Sequence, residues 1–168
     1  MKKITLCLVF AIVGFINLNA QEFRLGVSGG VPLSVSNEYS AALDISYLLN
    51  ITDKFDVGLT TGLSYWFKRP EFYSGSVKFL ETEEIPLIPI ALTTRFNVFK
   101  SFDLGLDLGY AIPMESEMYQ SGFYFAPKVQ YGISKSTDIV LGYRAAKLES
   151  DLNNSTVDML TLGIEFKL

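Results

Sequence analysis

Histidine is absent from the 168-residue sequence, and cysteine occurs only once, as Cys7. Histidine best suits proton transfer near neutral pH, so its absence excludes the common histidine-based mechanisms, while carboxylate-only or lysine-based ones stay open. Cys7 lies in an apolar run near the N-terminus, so the rest of the chain forms no disulfide. Beyond that run we find no helical period and no stretch of about 20 apolar residues, which argues against a membrane-spanning helix.

Residues 1–20 have the three parts of a secretory signal peptide. Lys2 and Lys3 precede the apolar run ITLCLVFAIVGFI, and NLNA then ends in a small residue. We expect cleavage after Ala20, which leaves one domain over residues 21–168. An uncleaved membrane anchor is the alternative, but the run is short for a full span.

The remainder of the chain is acidic. Without Lys2 and Lys3 it holds 12 basic and 18 acidic residues, a net charge of −6. This balance argues against a nucleic-acid partner.

Alternating side chains dominate the mature sequence. In FDVGLTTGLSYWF, residues 55–67, every second residue is large and apolar or a threonine, and those between are mostly small or polar. Such alternation is typical of a β-strand with two unlike faces. Eight stretches have this pattern: 23–31, 39–48, 55–67, 85–96, 102–112, 122–133, 138–145 and 158–168.

The connections between these stretches alternate in length. Those at 49–54, 97–101 and 134–137 are short, whereas those at 68–84, 113–121 and 146–157 are longer, and 32–38 is intermediate. Short turns at one end and long loops at the other are typical of an up-and-down barrel in an outer membrane. Proline fits a closed barrel poorly, so we expect Pro86 above the membrane and a bulge or a missing ladder bond near Pro89 and Pro127.

The apolar face carries aromatic residues near the strand ends, which predicts two girdles at the two interfaces of a bilayer. The first predicted girdle is Phe23, Tyr47, Phe55, Phe96, Phe102, Tyr131 and Phe166. The second is Tyr39, Tyr65, Phe67, Tyr110, Phe123, Phe125 and Tyr143.

The other face is rich in glycine and has balanced charge. It carries Arg24, Arg95, Lys128, Arg144 and Lys167 together with Asp44, Asp56, Asp103, Asp107 and Glu165. Balance suits a buried interior, where an unpaired charge is costly, and small residues suit a narrow barrel. We therefore predict an all-β fold, an eight-stranded antiparallel up-and-down transmembrane β-barrel with a polar, side-chain-filled interior. A soluble sandwich, or a lipocalin-like cup for an apolar ligand, would need the faces reversed.

This pattern resembles the small eight-stranded outer-membrane barrels of the OmpA and OmpX type over the whole mature chain. The stretch LETEEIPLIPIALTTRF, 80–96, is similar to the segment that enters the fourth strand in outer-membrane barrel-domain proteins of Bacteroidota, where an element like Glu84, Ile85, Pro86 and Leu87 is common. The resemblance implies outer-membrane lipid and lipopolysaccharide as surroundings, and assembly by the barrel-insertion machinery. The last residue is Leu168 instead of the usual aromatic, although Phe166 is nearby.

The function that follows is a non-enzymatic, integral outer-membrane protein with a structural, adhesion or partner-binding role. The long-loop end carries ten acidic residues against four basic ones: Glu38, Glu71, Glu81, Glu83, Glu84, Glu115, Glu117, Glu149, Asp151 and Asp158 against Lys68, Arg69, Lys78 and Lys147. An unknown extracellular partner could bind there, and the acidic run could hold divalent cations, although a solvated loop explains it as well. We predict no catalytic, cofactor-binding or metal-binding residue. Open alternatives are a subunit of a larger envelope or secretion assembly, a barrel enzyme acting on lipid, and a soluble periplasmic binder.

Overall fold

A computed structural model of the protein describes residues 21–33, 39–67, 86–114, 120–149 and 155–168, and these residues form one closed β-barrel. Its strands are β1 (Gln21–Pro32), β2 (Tyr39–Thr52), β3 (Phe55–Phe67), β4 (Leu87–Phe99), β5 (Phe102–Pro113), β6 (Gln120–Gly132), β7 (Thr137–Glu149) and β8 (Ser155–Lys167). Within these ranges, no helix is long and apolar enough to cross a membrane.

Every strand pairs antiparallel with its neighbours in sequence, and β8 closes the ring by pairing with β1. The predicted eight-stranded up-and-down fold is therefore confirmed. Three short turns, at 53–54, 100–101 and 133–136, lie at one end, together with the start of β1 and the end of β8. We call this the turn end and the opposite one the loop end. The four connections at the loop end fall mostly outside the described residues.

The strands are staggered around the ring. Phe23 of β1 pairs with Tyr47 of β2, and the same step from each residue to its partner on the next strand ends at Asp158 of β8. The carbonyl of Asp158 accepts a hydrogen bond from the N–H of Leu33, which follows β1. The path thus returns to β1 ten residues further on. For eight strands, this stagger corresponds to a strand tilt of about 40°. A 13-residue strand at that tilt rises about 33 Å, which matches the thickness of a bilayer core.

Seven of the eight strands are longer than the alternation alone predicted, and β3 has the predicted bounds. β1 begins two residues earlier, at Gln21, because Glu22 continues the inward face below Arg24. β7 continues to Glu149, through a stretch that we predicted to be a loop. A closed ring favours such extension, because each added residue finds ladder partners on both sides.

Proline interrupts two of the seams, as expected. The β3–β4 ladder lacks the pairs that would involve Pro89 and Ile88, and resumes at Ser64 opposite Leu87. The β6–β7 ladder lacks the pairs at Ala126 and Pro127. Because proline has no N–H to donate, a ladder gap beside each ring is the physical consequence. Pro86 lies just before β4, outside the strand.

The two faces of the barrel differ sharply in chemistry. Large apolar side chains point outward and are well exposed, for example Leu59 at 62% and Leu162 at 61%, whereas most charged side chains of the strands are buried or half-buried and point inward. Inward positions leave little space. A Cβ added at Gly58 would lie 1.8 Å from the carbonyl oxygen of Tyr47 on the neighbouring strand. Glycine is required there because only hydrogen fits.

Candidate functional site: a filled lumen inside an apolar belt

Glu165 is the centre of the ion-pair network near the turn end. Its Oε1 accepts hydrogen bonds from Arg24 Nη1 at 2.9 Å and from Gln130 Nε2 at 2.7 Å, and its Oε2 accepts one from Arg95 Nη2 at 3.1 Å. Glu165, Arg24, Arg95 and Gln130 are all buried. One carboxylate therefore binds two guanidinium groups in a space closed to solvent.

Arg24 extends the network toward the barrel mouth. Its Nη1 also donates to Asp138 Oδ2 at 3.1 Å, and its Nε lies 2.8 Å from Glu22 Oε1. Asp138 in turn lies 3.5 Å from Lys167 Nζ. Acidic and basic side chains thus alternate in a chain of ion pairs that runs across β1, β7 and β8 to the turn end.

Two further groups lie deeper in the lumen. Lys128 Nζ donates to Asp107 Oδ2 at 2.6 Å, and Thr93 donates to the other oxygen of the same carboxylate. Arg144 binds Asp44 through both terminal nitrogens, a bidentate geometry that fixes the two planar groups. The structure therefore places eight of the ten predicted lumen charges in ion pairs.

The remaining two predicted lumen residues, Asp56 and Asp103, lie at the turn end and have a neutral partner. Asn50 donates an amide hydrogen to Asp56 at 2.7 Å, and Asn97 donates one to Asp103 at the same distance. Asp56 lies opposite Arg95 in the β3–β4 register, but Arg95 turns its guanidinium to Glu165. These carboxylates lie near solvent, where an amide partner suffices.

The lumen changes character at the loop end, where an apolar cluster fills it. Trp66, Leu87, Leu148 and Met159 are buried against one another and against alanines of β4, β5, β6 and β7. Sequence reasoning described the inward face as small or polar, although it placed Trp66 there, so this cluster was not predicted. Alternation does put Trp66, Leu87 and Met159 on inward positions and could have revealed it.

Sequence reasoning also missed three polar members of the network. Asp138 and Gln130 occupy the same strand faces as Arg144 and Lys128, so alternation contained the signal. Glu22 lay outside the predicted first strand. Gln130 is neutral, but Asp138 and Glu22 add two negative charges, so the inward face holds seven acidic residues against five basic ones.

The lumen is a packed interior and not an open passage. Side chains occupy it along its length, and the carboxylates in its middle are each held by a cation or a hydroxyl. In the part of the chain that the structure describes, no group of histidine, cysteine and acidic residues could hold a metal ion.

The aromatic residues of the first predicted girdle meet around the turn end of the outer surface. Phe23 lies opposite Tyr47 with ring centroids 5.8 Å apart, Phe55 lies opposite Phe96, and Phe102 lies opposite Tyr131. The seventh member, Phe166, lies opposite Leu25 on the same surface.

The second predicted girdle is less even. Tyr39 lies opposite Phe67, whose ring is 4.9 Å from that of Tyr65, and Tyr110 lies opposite Phe123. These five are near the loop end. Phe125 and Tyr143 also face outward, but they are the sixth and seventh residues of 13-residue strands, closer to the middle of the barrel. The Tyr143 hydroxyl donates to Asp158 at 3.0 Å, which satisfies it on the apolar surface.

Comparison with known proteins relates this geometry to solved structures. No protein-family model matches the chain, and no curated protein does. The crystal structure of Ail, the attachment invasion locus protein of Yersinia pestis, covers 88% of this chain and 97% of its own, with a TM-score of 0.56 and 11% identity. Neisserial surface protein A gives the same coverages, a TM-score of 0.54 and 14% identity.

The N-terminal β-barrel domain of Pseudomonas aeruginosa OprF is also similar, with a TM-score of 0.51, 10% identity and the same coverages of 88% and 97%. By fold, the chain is similar to these small eight-stranded outer-membrane barrels. At such low identity the likeness establishes the architecture of this barrel and not its particular role. The Bacteroidota relationship stays a prediction.

Proposed function

We propose that the protein is a non-enzymatic integral outer-membrane barrel that displays acidic loops outside the cell for a structural, adhesion or partner-binding role. The observation that carries this proposal is the apolar belt. A contiguous band of leucine, isoleucine, valine and aromatic side chains faces outward on all eight strands, while the paired charges lie inside. Only a lipid environment makes that arrangement favourable.

The same belt argues against the soluble alternatives. A lipocalin-like cup needs apolar residues inside and polar ones outside, whereas Leu59 and Leu162 here point away from the lumen. A soluble monomer with this much exposed apolar surface would aggregate. The cavity within the apolar cluster, lined by Ser64, Trp66 and Met159, has space for about one water molecule only.

Residues 1–20 would deliver the chain as a cleaved signal peptide, and the barrel-insertion machinery would fold residues 21–168 into the membrane. Outer-membrane lipid and lipopolysaccharide are then the immediate partners. In barrels of this type, short turns face the periplasm and longer loops face outward. Most of the predicted acidic loop residues fall outside the described residues, whereas Lys147, Glu149 and Asp158 lie at the loop end of β7 and β8.

A catalytic role is disfavoured because the buried charged side chains of the lumen already form ion pairs with one another. The lumen carboxylates that a carboxylate-only mechanism would use, Asp107 and Glu165, are both bound by cations in buried positions. The lysine in reach, Lys128, is paired with Asp107. Unchanged lipid A in a deletion strain would support this, and a modified lipid A that reverts on deletion would contradict it.

Cell fractionation followed by gel electrophoresis tests the membrane location. We expect the protein in the outer-membrane fraction, with a band that shifts on heating because the closed barrel resists detergent until it is boiled. A soluble periplasmic band without a shift would refute the proposal.

Cysteine labelling tests the orientation, because the mature chain has no cysteine of its own. A Glu83→Cys variant should react with a membrane-impermeant maleimide on intact cells. The matched Ser134→Cys variant, in a turn at the opposite end, should react only after lysis. The reverse pattern would show the loops facing the periplasm.

Planar-bilayer recording tests whether the filled lumen excludes ions. Because side chains occupy the interior, we expect no large, stable conductance. Steady single-channel openings would overturn the structural role in favour of a pore.

A further inference from the structure

The turn end of the barrel contains an open cavity of about 520 Å³. It is built from the ends of β4 and β8, the starts of β5 and β7 and the turn after β6, and most of its lining is polar: Asn97, Lys100, Ser101, Asp103, Gly132, Ile133, Ser134, Lys135, Asp138 and Lys167. This volume falls within the usual range for sites that bind small molecules.

Three lysines from three separate segments line this cavity. Lys100 comes from the β4–β5 turn, Lys135 from the β6–β7 turn and Lys167 from the end of β8. Lys167 already lies 3.5 Å from Asp138. In the described part of the chain, neither Lys100 nor Lys135 has an ion-pair partner.

The two carboxylates of the cavity are already engaged. Asp138 receives Arg24 at 3.1 Å as well as Lys167, and Asp103 accepts the Asn97 amide at 2.7 Å. The Asn97 amide is neutral, so Asp103 keeps its negative charge, and the five charged residues of the lining sum to +1. The cavity therefore keeps a positive excess in a chain whose predicted mature form is strongly acidic.

Backbone hydrogen bonds hold the cavity in shape. The Gly132 N–H donates to the Ser101 carbonyl at 2.8 Å, which joins the β4–β5 turn to the end of β6. The Lys167 N–H donates to the Ser136 carbonyl at 2.9 Å, which joins the β6–β7 turn to β8. A Cβ at Gly132 would lie 3.2 Å from Asp138 Oδ1, so glycine keeps this wall open. A pre-formed site loses less freedom when it binds.

We propose that this cavity binds a small organic dicarboxylate, with one carboxylate at Lys100 and the other at Lys135. Two separate unpaired ammonium groups fit two separate carboxylates better than a single compact anion. Such a ligand could be a free dicarboxylic acid or the C-terminus of a peptide that ends in an acidic residue, since both present the same pair of groups.

Amide chemical shifts in detergent micelles test the proposal. Succinate and glutarate should produce saturable shifts confined to Gly132, Ser134 and neighbouring turn residues. Butyrate, with one carboxylate, should bind about threefold more weakly, because each exposed ion pair contributes modestly. Equal affinities for succinate and butyrate, or no saturable shift with either dicarboxylate, would overturn the proposal.

Variants separate the site from general surface charge. The double variant Lys100→Gln/Lys135→Gln should weaken succinate binding by about tenfold, while Lys54→Gln, an exposed lysine in the β2–β3 turn that does not line the cavity, should leave it unchanged. An equal loss in both would show non-specific attraction. A gel band that shifts on heating, for the unmodified protein and for both variants, confirms that the barrels remain folded.

The source of the ligand is identified by titrating a tripeptide that ends in aspartate beside its C-terminally amidated form. Tighter binding of the free-acid peptide than of succinate assigns the peptide as the ligand, and the reverse assigns the free acid. Binding in micelles does not depend on which side of a membrane the cavity faces, so failure here leaves the proposed outer-membrane function standing. Failure of that function likewise leaves the cavity intact.

Discussion

The two halves of the lumen solve the same packing problem with different chemistry. Toward the turn end, buried arginine, lysine and acidic side chains neutralise one another, whereas at the loop end Trp66, Leu87, Leu148 and Met159 pack as an ordinary apolar core. The charged half requires specific partners, because each charge is costly if left alone. The apolar half requires only volume. The comparison teaches that only the charged half specifies the register of the strands.

The partners in the charged half are far apart along the chain. Glu165 lies 141 residues from Arg24 and 70 from Arg95. A slip of one strand by two residues would keep every side chain on its face but would separate these pairs. The ion pairs therefore favour one stagger among several that alternation alone allows.

The largest expected effect comes from breaking the charged half at its centre. Glu165→Gln removes the carboxylate that pairs with buried Arg95 and one of the three that pair with Arg24, so we expect a loss of about 3–5 kcal/mol in the free energy of unfolding. Urea unfolding in detergent or lipid measures it. Glu149→Gln, an exposed residue at the end of β7, is the matched control and should change stability by less than about 0.5 kcal/mol.

The apolar half should respond to lost volume. Leu148→Ala opens a cavity at a fully buried position, and we expect about 3 kcal/mol of destabilisation. Leu162→Ala removes the same atoms from the outer belt, where lipid fills the space, so its cost should be clearly smaller. Similar losses in both variants would mean that the loop-end cluster is loosely packed.

Glycine positions compare the inward and outward faces of the barrel wall by the space around them. A Cβ at Gly122, near the loop end, would lie 1.7 Å from the Lys147 carbonyl oxygen, while one at Gly29 on the outer surface meets nothing closer than 3.9 Å. We expect Gly122→Ala to cost about 1–3 kcal/mol and Gly29→Ala almost nothing. The temperature of the gel-band shift provides the measurement. A neutral Gly122→Ala would show that the strands can separate locally.

The smallest effect is expected at the mouth of the charged half. Asn97→Ala removes the single amide hydrogen bond to Asp103, which solvent can replace, so we expect a loss of about 0.5–1.5 kcal/mol. Denaturant titration checks it against the Glu165→Gln variant. If Asn97→Ala cost as much as that change, the distinction between the buried hub and the mouth would fail.

Alternation in the sequence was sufficient to predict the strands, their two faces and the closed up-and-down order. It works because side chains on a strand must alternate and because Leu59 and Thr60 prefer opposite surroundings. Strand ends were harder to predict. The Ala146–Glu149 segment alternates in the opposite phase to the rest of β7, with apolar Ala146 and Leu148 inward and charged Lys147 and Glu149 outward, and it pairs with β8.

Partners across the lumen could not be predicted from one sequence. Which cation meets Glu165 depends on the ten-residue stagger of the whole ring, which no local pattern encodes. The charge balance of the inward face was readable, but the assignment of Asp56 and Asp103 to asparagine partners was not. The apolar cluster was overlooked because Leu148 lay in a predicted loop and the inward positions of Trp66, Leu87 and Met159 were not considered together.

The ladder gaps beside Pro89 and Pro127 have a mechanical consequence. A barrel with backbone hydrogen bonds between every pair of neighbouring strands keeps a round cross-section, because flattening it would strain all of these bonds together. The gaps in the β3–β4 and β6–β7 ladders separate three strands, β4, β5 and β6, from the other five. We expect the wall to bend first along these two lines, so that the barrel yields to lateral pressure as two stiff plates joined by two short hinges.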